Sequence, residues 1–201
     1  MSGFKHSDRA RSALLASLVL GWAAPAAAQA TLSPEAQMIA RPQEYAVIGR
    51  ETIPIALLSI GGNQASVTQT GQSNALTLEQ LGRSTVTAQQ IGSGNIASAA
   101  LRGDQGALSL FQSGVGNTSA VTAGGSSGIS VQQIGNNNRS DISLTAQGTT
   151  ASSQQIGNNN RSDISLSTQG ASAVNQQFGN NLSNTVTQQG VPKAITVTQS
   201  R

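Results

Sequence analysis

The sequence contains no cysteine and very few aromatic or charged residues. Of its 201 residues, 2% are aromatic and 9% are charged. Without cysteine, the chain can form no disulfide framework. Gln, Asn, Ser, Thr and Gly dominate instead. Such a composition suits either a disordered chain or a stacked cross-β structure.

The first thirty residues have the pattern of a secretory signal peptide. Lys5, Arg9 and Arg11 form a basic start, residues 13–24 are apolar, and small residues at 26–30 supply a cleavage pattern. The apolar run is too short for a spanning helix. We therefore expect a Sec-type signal peptide, with residues 1–30 removed and the remaining chain exported.

Little in the remaining chain suggests catalysis or nucleic-acid binding. Cleavage near Gln29 or Thr31 would remove three basic residues and Asp8, which lowers the formal net charge from +3 to +1. A nearly neutral chain has no basic patch for nucleic acid. His6, the only histidine, is also lost, and no nucleophile has a base at motif spacing. The sequence predicts a non-enzymatic protein without a metal, cofactor or small-molecule substrate.

The mature chain divides into two parts. Residues 31–62 are not repetitive and contain three prolines. We interpret them as a leader or a degenerate cap, although an address for export or anchoring is an alternative. Residues 63–201 form six full repeats and one partial repeat.

The repeats are marked by Gln-x-Gly at an almost fixed interval. The steps between the first six glutamines are 21, 22, 21, 22 and 22 residues, and one more step of 22 reaches Gln199 in a shortened last copy. A fixed period of this size indicates a stacked solenoid. The glutamines are Gln69, Gln90, Gln112, Gln133, Gln155 and Gln177, and the paired glycines, expected in turns, are Gly71, Gly92, Gly114, Gly135, Gly157 and Gly179.

Within each repeat, inward and outward positions alternate with period two. In one copy the inward set is Ser127, Ile129, Val131 and Gln133, followed after Gly and Asn by Asn138, Ser140, Ile142 and Leu144. This alternation indicates strands with one buried face, and Gly and Asn permit tight reversals. The sequence predicts an all-β fold: a β-solenoid of strand-turn-strand repeats of about 22 residues, stacked in parallel like cross-β amyloid.

Stacking explains the inward amides. If rungs rise by about 4.8 Å, equivalent residues lie above one another, and a buried Gln or Asn can bond to its own copies. We expect the glutamines to form one ladder and Asn74, Asn95, Asn117, Asn138 and Asn160 to form another. Both ends of such a stack are expected to be open strand edges, which template further chains.

Four outward charges recur one rung apart: Arg139 and Asp141, then Arg161 and Asp163. Like charges should stack directly, with opposite charges on the diagonal. One interpretation is a solvated outer face. The other is gatekeeping, in which the charges slow premature assembly.

The repeat Gln-x-Gly-x-x-Asn-x-Ala-x-x-x-Gln, with Ser six residues before the first Gln, resembles the curlin repeat. Its elements are clearest at Gln69, Gly71, Asn74 and Gln80, and at Ser84, Gln90, Gly92, Asn95 and Ala97. The final Gln is replaced by Leu101, Ala123, Leu144 and Leu166, and one Asn by Leu182. The ending 194–201 is similar to the tail of the minor, nucleating curlin subunit.

The resemblance implies a secreted subunit of curli, the bacterial amyloid fibres of cell adhesion and biofilm matrix. It also implies self-association, other curlin subunits as partners, and an outer-membrane export machinery. One alternative is a surface-held minor subunit that nucleates a different major subunit. Another is a soluble, monomeric binding solenoid.

Overall fold

The computed structural model describes residues 62–201, together with three short strands, Ser17–Leu20, Tyr45–Ile48 and Glu51–Pro54. The remaining features of the predicted signal and leader segments lie outside the described residues. Every regular element of the described chain is a β-strand. No helix long and apolar enough to cross a membrane occurs among these residues.

The strands assemble into two sheets, and from Gln64 onward buried positions alternate with more exposed ones along each strand. The nine-stranded sheet contains β2 (Tyr45–Ile48), β3 (Glu51–Pro54), β4 (Gln64–Gln72), β6 (Ser84–Ser93), β8 (Gly106–Val115), β10 (Gly128–Asn136), β12 (Thr150–Ile156), β14 (Ser172–Phe178) and β16 (Ala194–Ser200). The seven-stranded sheet contains β1 (Ser17–Leu20), β5 (Ala75–Leu81), β7 (Ile96–Arg102), β9 (Thr118–Gly124), β11 (Arg139–Leu144), β13 (Arg161–Leu166) and β15 (Ser183–Gln188).

Successive repeats stack in parallel and in register. Gln133 of β10 lies beside Gln112 of β8 and Gln155 of β12, and Ile142 of β11 lies beside Val121 and Ile164. Each repeat places one strand in each sheet, so the chain climbs one rung every 21 or 22 residues. The predicted all-β solenoid of parallel repeats is confirmed.

The core is a thin aliphatic layer between the two sheets. Its middle columns hold Ala, Val, Ile and Leu, and Leu110, Val131, Leu144 and Leu166 are at most 2% exposed. Residues from both sheets form a single cluster. Because facing sheets are about 10 Å apart, aliphatic side chains fill the layer. The inward set predicted for the copy around Gln133 is buried throughout.

The two ends of the stack differ. At the N-terminal end, β1 pairs antiparallel with β5, and β2 pairs in parallel with β4. The expectation of two open edges is therefore wrong for this end of the whole chain, because short strands from residues 1–62 lie against it. At the other end, β15 and β16 are the last strands of their sheets.

Candidate functional site

The inward glutamines form one continuous hydrogen-bonded column. The side-chain nitrogen of each donates to Oε1 of the next, at 2.5, 2.7, 2.8, 2.9, 2.9 and 2.9 Å from Gln69 to Gln199. Gln112, Gln133 and Gln155 are 0% exposed. A buried amide without partners destabilises a fold, so this column is stable only while each glutamine has neighbours above and below.

The same glutamines also join the two sheets. Nε2 of Gln133 donates a second bond to the backbone oxygen of Thr118 in β9 at 3.0 Å, and Nε2 of Gln155 donates to that of Arg139 in β11 at 2.9 Å. Both amide hydrogens of these residues are therefore used. The column fixes the vertical register of the strands and also the position of one sheet against the other.

The predicted asparagine column holds the turn between the two strands of each rung. Nδ2 of Asn138 donates to Oδ1 of Asn117 at 3.1 Å and to the backbone oxygen of Gly157 at 2.8 Å. Oδ1 of Asn138 accepts from the backbone nitrogen of Asn160 at 3.1 Å. Leu182 ends this column, but its backbone nitrogen still donates to Oδ1 of Asn160. The substitution therefore removes one side-chain link and preserves the last backbone contact.

The six glycines predicted to lie in turns stand at the end of the first strand of each rung, just before the chain bends. Their φ angles lie between 111° and 137°. A second constraint was not visible in the sequence: a Cβ on Gly135 would overlap the backbone oxygen of Gly157 on the next rung. The same overlap recurs from Gly71 to Gly157. These positions require glycine because neighbouring rungs approach there too closely for a side chain.

The four recurrent charges lie on the outer face of the seven-stranded sheet. Arg139 stacks on Arg161 and Asp141 on Asp163, as predicted. The ion pairs form along each strand, however, at 2.8 Å for Arg139–Asp141 and 2.9 Å for Arg161–Asp163. Residues i and i+2 of a strand project from the same side of the sheet. The opposite charges therefore pair along one strand rather than diagonally between neighbouring strands.

The pKa of Arg161 reflects this arrangement. The pKa is raised above its usual range, first by the hydrogen bond to Asp163, then by the charge of Asp163, and last by that of Asp141. The diagonal neighbour Asp141 thus adds only a minor attraction for Arg161. The stacked charges are locally neutralised along each strand while like charges remain adjacent between rungs.

Two further amide columns were missed by sequence reasoning because they lie on the outer surface. Nε2 of Gln154 donates to Oε1 of Gln132 at 2.7 Å, and Gln176 continues this column. At the turn, Nδ2 of Asn136 donates to Oδ1 of Asn158 at 3.0 Å, and Asn158 bonds Asn180 in the same way. Two sequence features could have predicted these columns: the repeated Gln-Gln pair and the repeated run of asparagines. Because side chains alternate along a strand, one glutamine of each pair must face outward.

The described residues contain no group of three or more His, Cys, Asp or Glu side chains that could hold a metal ion. A scan against family models and searches of curated proteins and solved structures found no match to this chain. The site that the sequence and fold define is therefore the repeated set of inward amide columns and the strand edges where those columns end.

Proposed function

We propose that this protein is a secreted structural subunit that polymerises into extracellular amyloid fibres of the curli type, for cell adhesion and biofilm matrix. The main support is that consecutive rungs repeat the same backbone register and the same inward amide column. A chain built in this way already stacks on itself in the manner by which cross-β fibres grow.

The last rung carries the features that a new chain would need. Gln199 of β16 accepts a bond from Gln177 at 2.9 Å, as each earlier glutamine accepts from the one before it. Ile195 and Val197 pack against the core but are only partly buried. In the proposed fibre, the glutamine column of one chain continues into Gln69 of the next.

Growth at the N-terminal end requires release of the strands that lie on it. Strand β1 falls within residues 1–30, which the proposed export step removes. Strand β2 contacts β4 over only three register positions, Ala46, Val47 and Ile48. A short pairing of this kind is weak compared with the seven-residue pairings between repeats, so an incoming chain can displace it.

The direct test follows residues 31–201 after dilution from denaturant. Rapid growth of fibres that bind a cross-β dye and diffract at about 4.7 and about 10 Å supports the proposal. A stable, soluble, β-rich monomer contradicts it. The double change Gln69→Ala and Gln199→Ala should slow elongation. The matched control is the double change Gln72→Ala and Gln89→Ala at exposed positions, which should leave elongation unchanged.

Two other functions remain candidates. A surface-held nucleator within the same family is favoured by the tail similarity at 194–201, and it would seed a different major subunit faster than it elongates itself. A monomeric binding solenoid is favoured by the strands that cover the N-terminal edge. That function predicts a chain that stays soluble after residues 1–30 are removed.

A further inference from the structure

The two outer faces of the solenoid differ completely in charge. Strands β5 to β15 of the seven-stranded sheet carry Glu79 and Arg102 in addition to the four recurrent charges. The seven strands β4, β6, β8, β10, β12, β14 and β16 carry no charged residue at all. Charged side chains keep one face hydrated, whereas the other lacks the groups that usually resist burial.

The uncharged face is organised in columns of different size. One column holds bulky apolar side chains at four of its seven positions, Ile91, Ile134, Ile156 and Phe178, and has Phe111 in the column beside it. Its other three positions are Thr70, Ser113 and Ser200. Ile156 is 36% exposed and nearby Val115 is 53% exposed. An apolar ridge therefore runs along the solenoid axis on the outside of the protein.

A shallow groove runs parallel to this ridge. The groove has a volume of about 430 Å³ and is lined by small residues, among them Thr87, Ser109, Gly128 and Ser130. These residues lie four or six positions before the bulky column on the same strand face. Ridge and groove thus lie on either side of the central column that contains Gln132 and Gln154.

Three polar acceptors between ridge and groove already have partners. The Oε1 atoms of Gln132, Gln154 and Gln176 accept bonds from Gln154, Gln176 and Thr198, at 2.7, 3.3 and 3.2 Å. Burial of this column would therefore leave these three acceptors satisfied, which lowers the cost of burying it.

We propose that a second copy of this chain docks on the uncharged face, so that two solenoids pair laterally through it. A two-fold axis parallel to the stacking direction exchanges the two sides of the face about the glutamine column. It sets the ridge of each copy, including Ile134 and Ile156, against the groove side of the other, including Ser130 and its register neighbour Ser152. This is an isologous contact that closes at two copies.

The available area is sufficient for such a pair. Seven strands at about 4.8 Å spacing and seven residues at about 3.3 Å give roughly 800 Å² for each partner, or about 1,600 Å² in total, which is the size of a stable protein interface. The opposite, charged faces remain outside. Lateral association should therefore stop at pairs rather than extend into sheets.

The test introduces charge into the groove and compares it with the same change on the other face. Ser130→Lys with Ser152→Lys should abolish pairing, because two lysines would enter a dry interface in each copy. Ser143→Lys with Ser165→Lys, on the charged face, should leave pairing intact. Fibre mass per unit length, measured by electron microscopy, should halve in the first variant and stay unchanged in the second.

A cross-link tests the proposed geometry without disturbing charge. The chain lacks cysteine, so Ser130→Cys chains can be mixed with Ile134→Cys chains and treated with a short thiol cross-linker. Products that join the two kinds of chain are expected, whereas Ser165→Cys mixed with Ile134→Cys should give none. Wild-type fibres with the mass of a single solenoid, or equal cross-linking in both mixtures, would overturn the proposal.

The outcome is separable from that of the proposed function, because lateral pairing does not depend on end-to-end growth. If residues 31–201 form no fibres, the same variants are compared in solution by light scattering. A wild-type dimer that the groove lysines convert to a monomer supports pairing. A wild-type monomer refutes it, and leaves the uncharged face as a surface for a ligand instead.

Discussion

The side-chain nitrogen of Gln133 donates to Oε1 of Gln155 at 2.9 Å, and both residues are 0% exposed. This bond joins residues 22 positions apart in the sequence and directly adjacent in space. It is one link of a column in which a change at a single position removes partners from the rungs above and below.

Replacement of Gln133 by Ala should therefore lower the free energy of unfolding strongly. The change leaves a cavity and removes the acceptor of Gln112 and the donor of Gln155. We expect a loss of about 3 to 5 kcal/mol in denaturant unfolding of the soluble chain. The outward neighbour provides the control, since Gln132→Ala should cost less than about 1 kcal/mol. Equal losses at the two positions would show that the inner column contributes no more to stability than the outer one.

Gly135→Ala should be among the most disruptive single changes in the repeats. The new Cβ would overlap the backbone oxygen of Gly157, and the φ angle of 119° is unfavourable for alanine. We expect a loss of about 3 kcal/mol or more, measured by thermal or denaturant unfolding. Gly170 also has positive φ, but a Cβ added there would meet no atom within 4 Å, so Gly170→Ala should cost only about 1 to 2 kcal/mol. A mild effect at Gly135 would mean that the rungs can separate locally.

Asn138→Asp should make stability depend on pH. The site is buried and contains the backbone oxygen of Gly157, so the pKa of the introduced carboxyl group is raised in the folded state. The native state then binds a proton more readily than the unfolded state, and stability falls as pH rises above about 4. We expect a loss of about 3 to 5 kcal/mol at neutral pH and a much smaller loss at pH 3, relative to wild type at each pH.

The matched control is Asn138→Leu, because Leu182 already occupies the same column. It should destabilise the protein by a similar amount at both pH values. If the two variants show the same pH dependence, the introduced carboxylate is hydrated rather than buried.

Replacement of Arg139, Asp141, Arg161 and Asp163 by Ser should shorten the lag before fibre growth. The change keeps the net charge constant and removes the only like charges stacked between adjacent rungs of the described strands. Dye-binding kinetics at low salt measure the lag, and added salt should reduce the difference through screening. Stability itself should change by less than about 1 kcal/mol, since these are surface ion pairs.

The control for gatekeeping is the exposed pair Arg83 and Asp104, which attract each other across neighbouring rungs at 3.9 Å. Arg83→Ser with Asp104→Ser also preserves net charge and should leave the lag unchanged. An unchanged lag in the fourfold variant would contradict gatekeeping. The charges would then serve only to keep the outer face solvated.

The period-two pattern correctly identified the inward faces because the backbone pleat alternates side chains without reference to the rest of the fold. It could not reveal why Gly135 must be glycine, since the obstacle is a backbone oxygen of another rung. It also predicted that opposite charges meet on the diagonal between neighbouring rungs, whereas Arg139 pairs with Asp141 along its own strand. Such choices depend on distances between side chains that share a face.

The repeat interval by itself determined the β-solenoid, its parallel register and the identity of its inward amide columns, because a fixed period places like residues above one another. Only the tertiary structure decided which outward residues share a face. For the strands from β4 onward, it collected the charges on one sheet and left those of the other sheet uncharged, with a ridge and a groove on their outer face. It also placed short strands from residues 1–62 against the N-terminal edge. Those features depend on which strand of each rung belongs to which sheet. The repeat interval of the sequence does not specify that assignment.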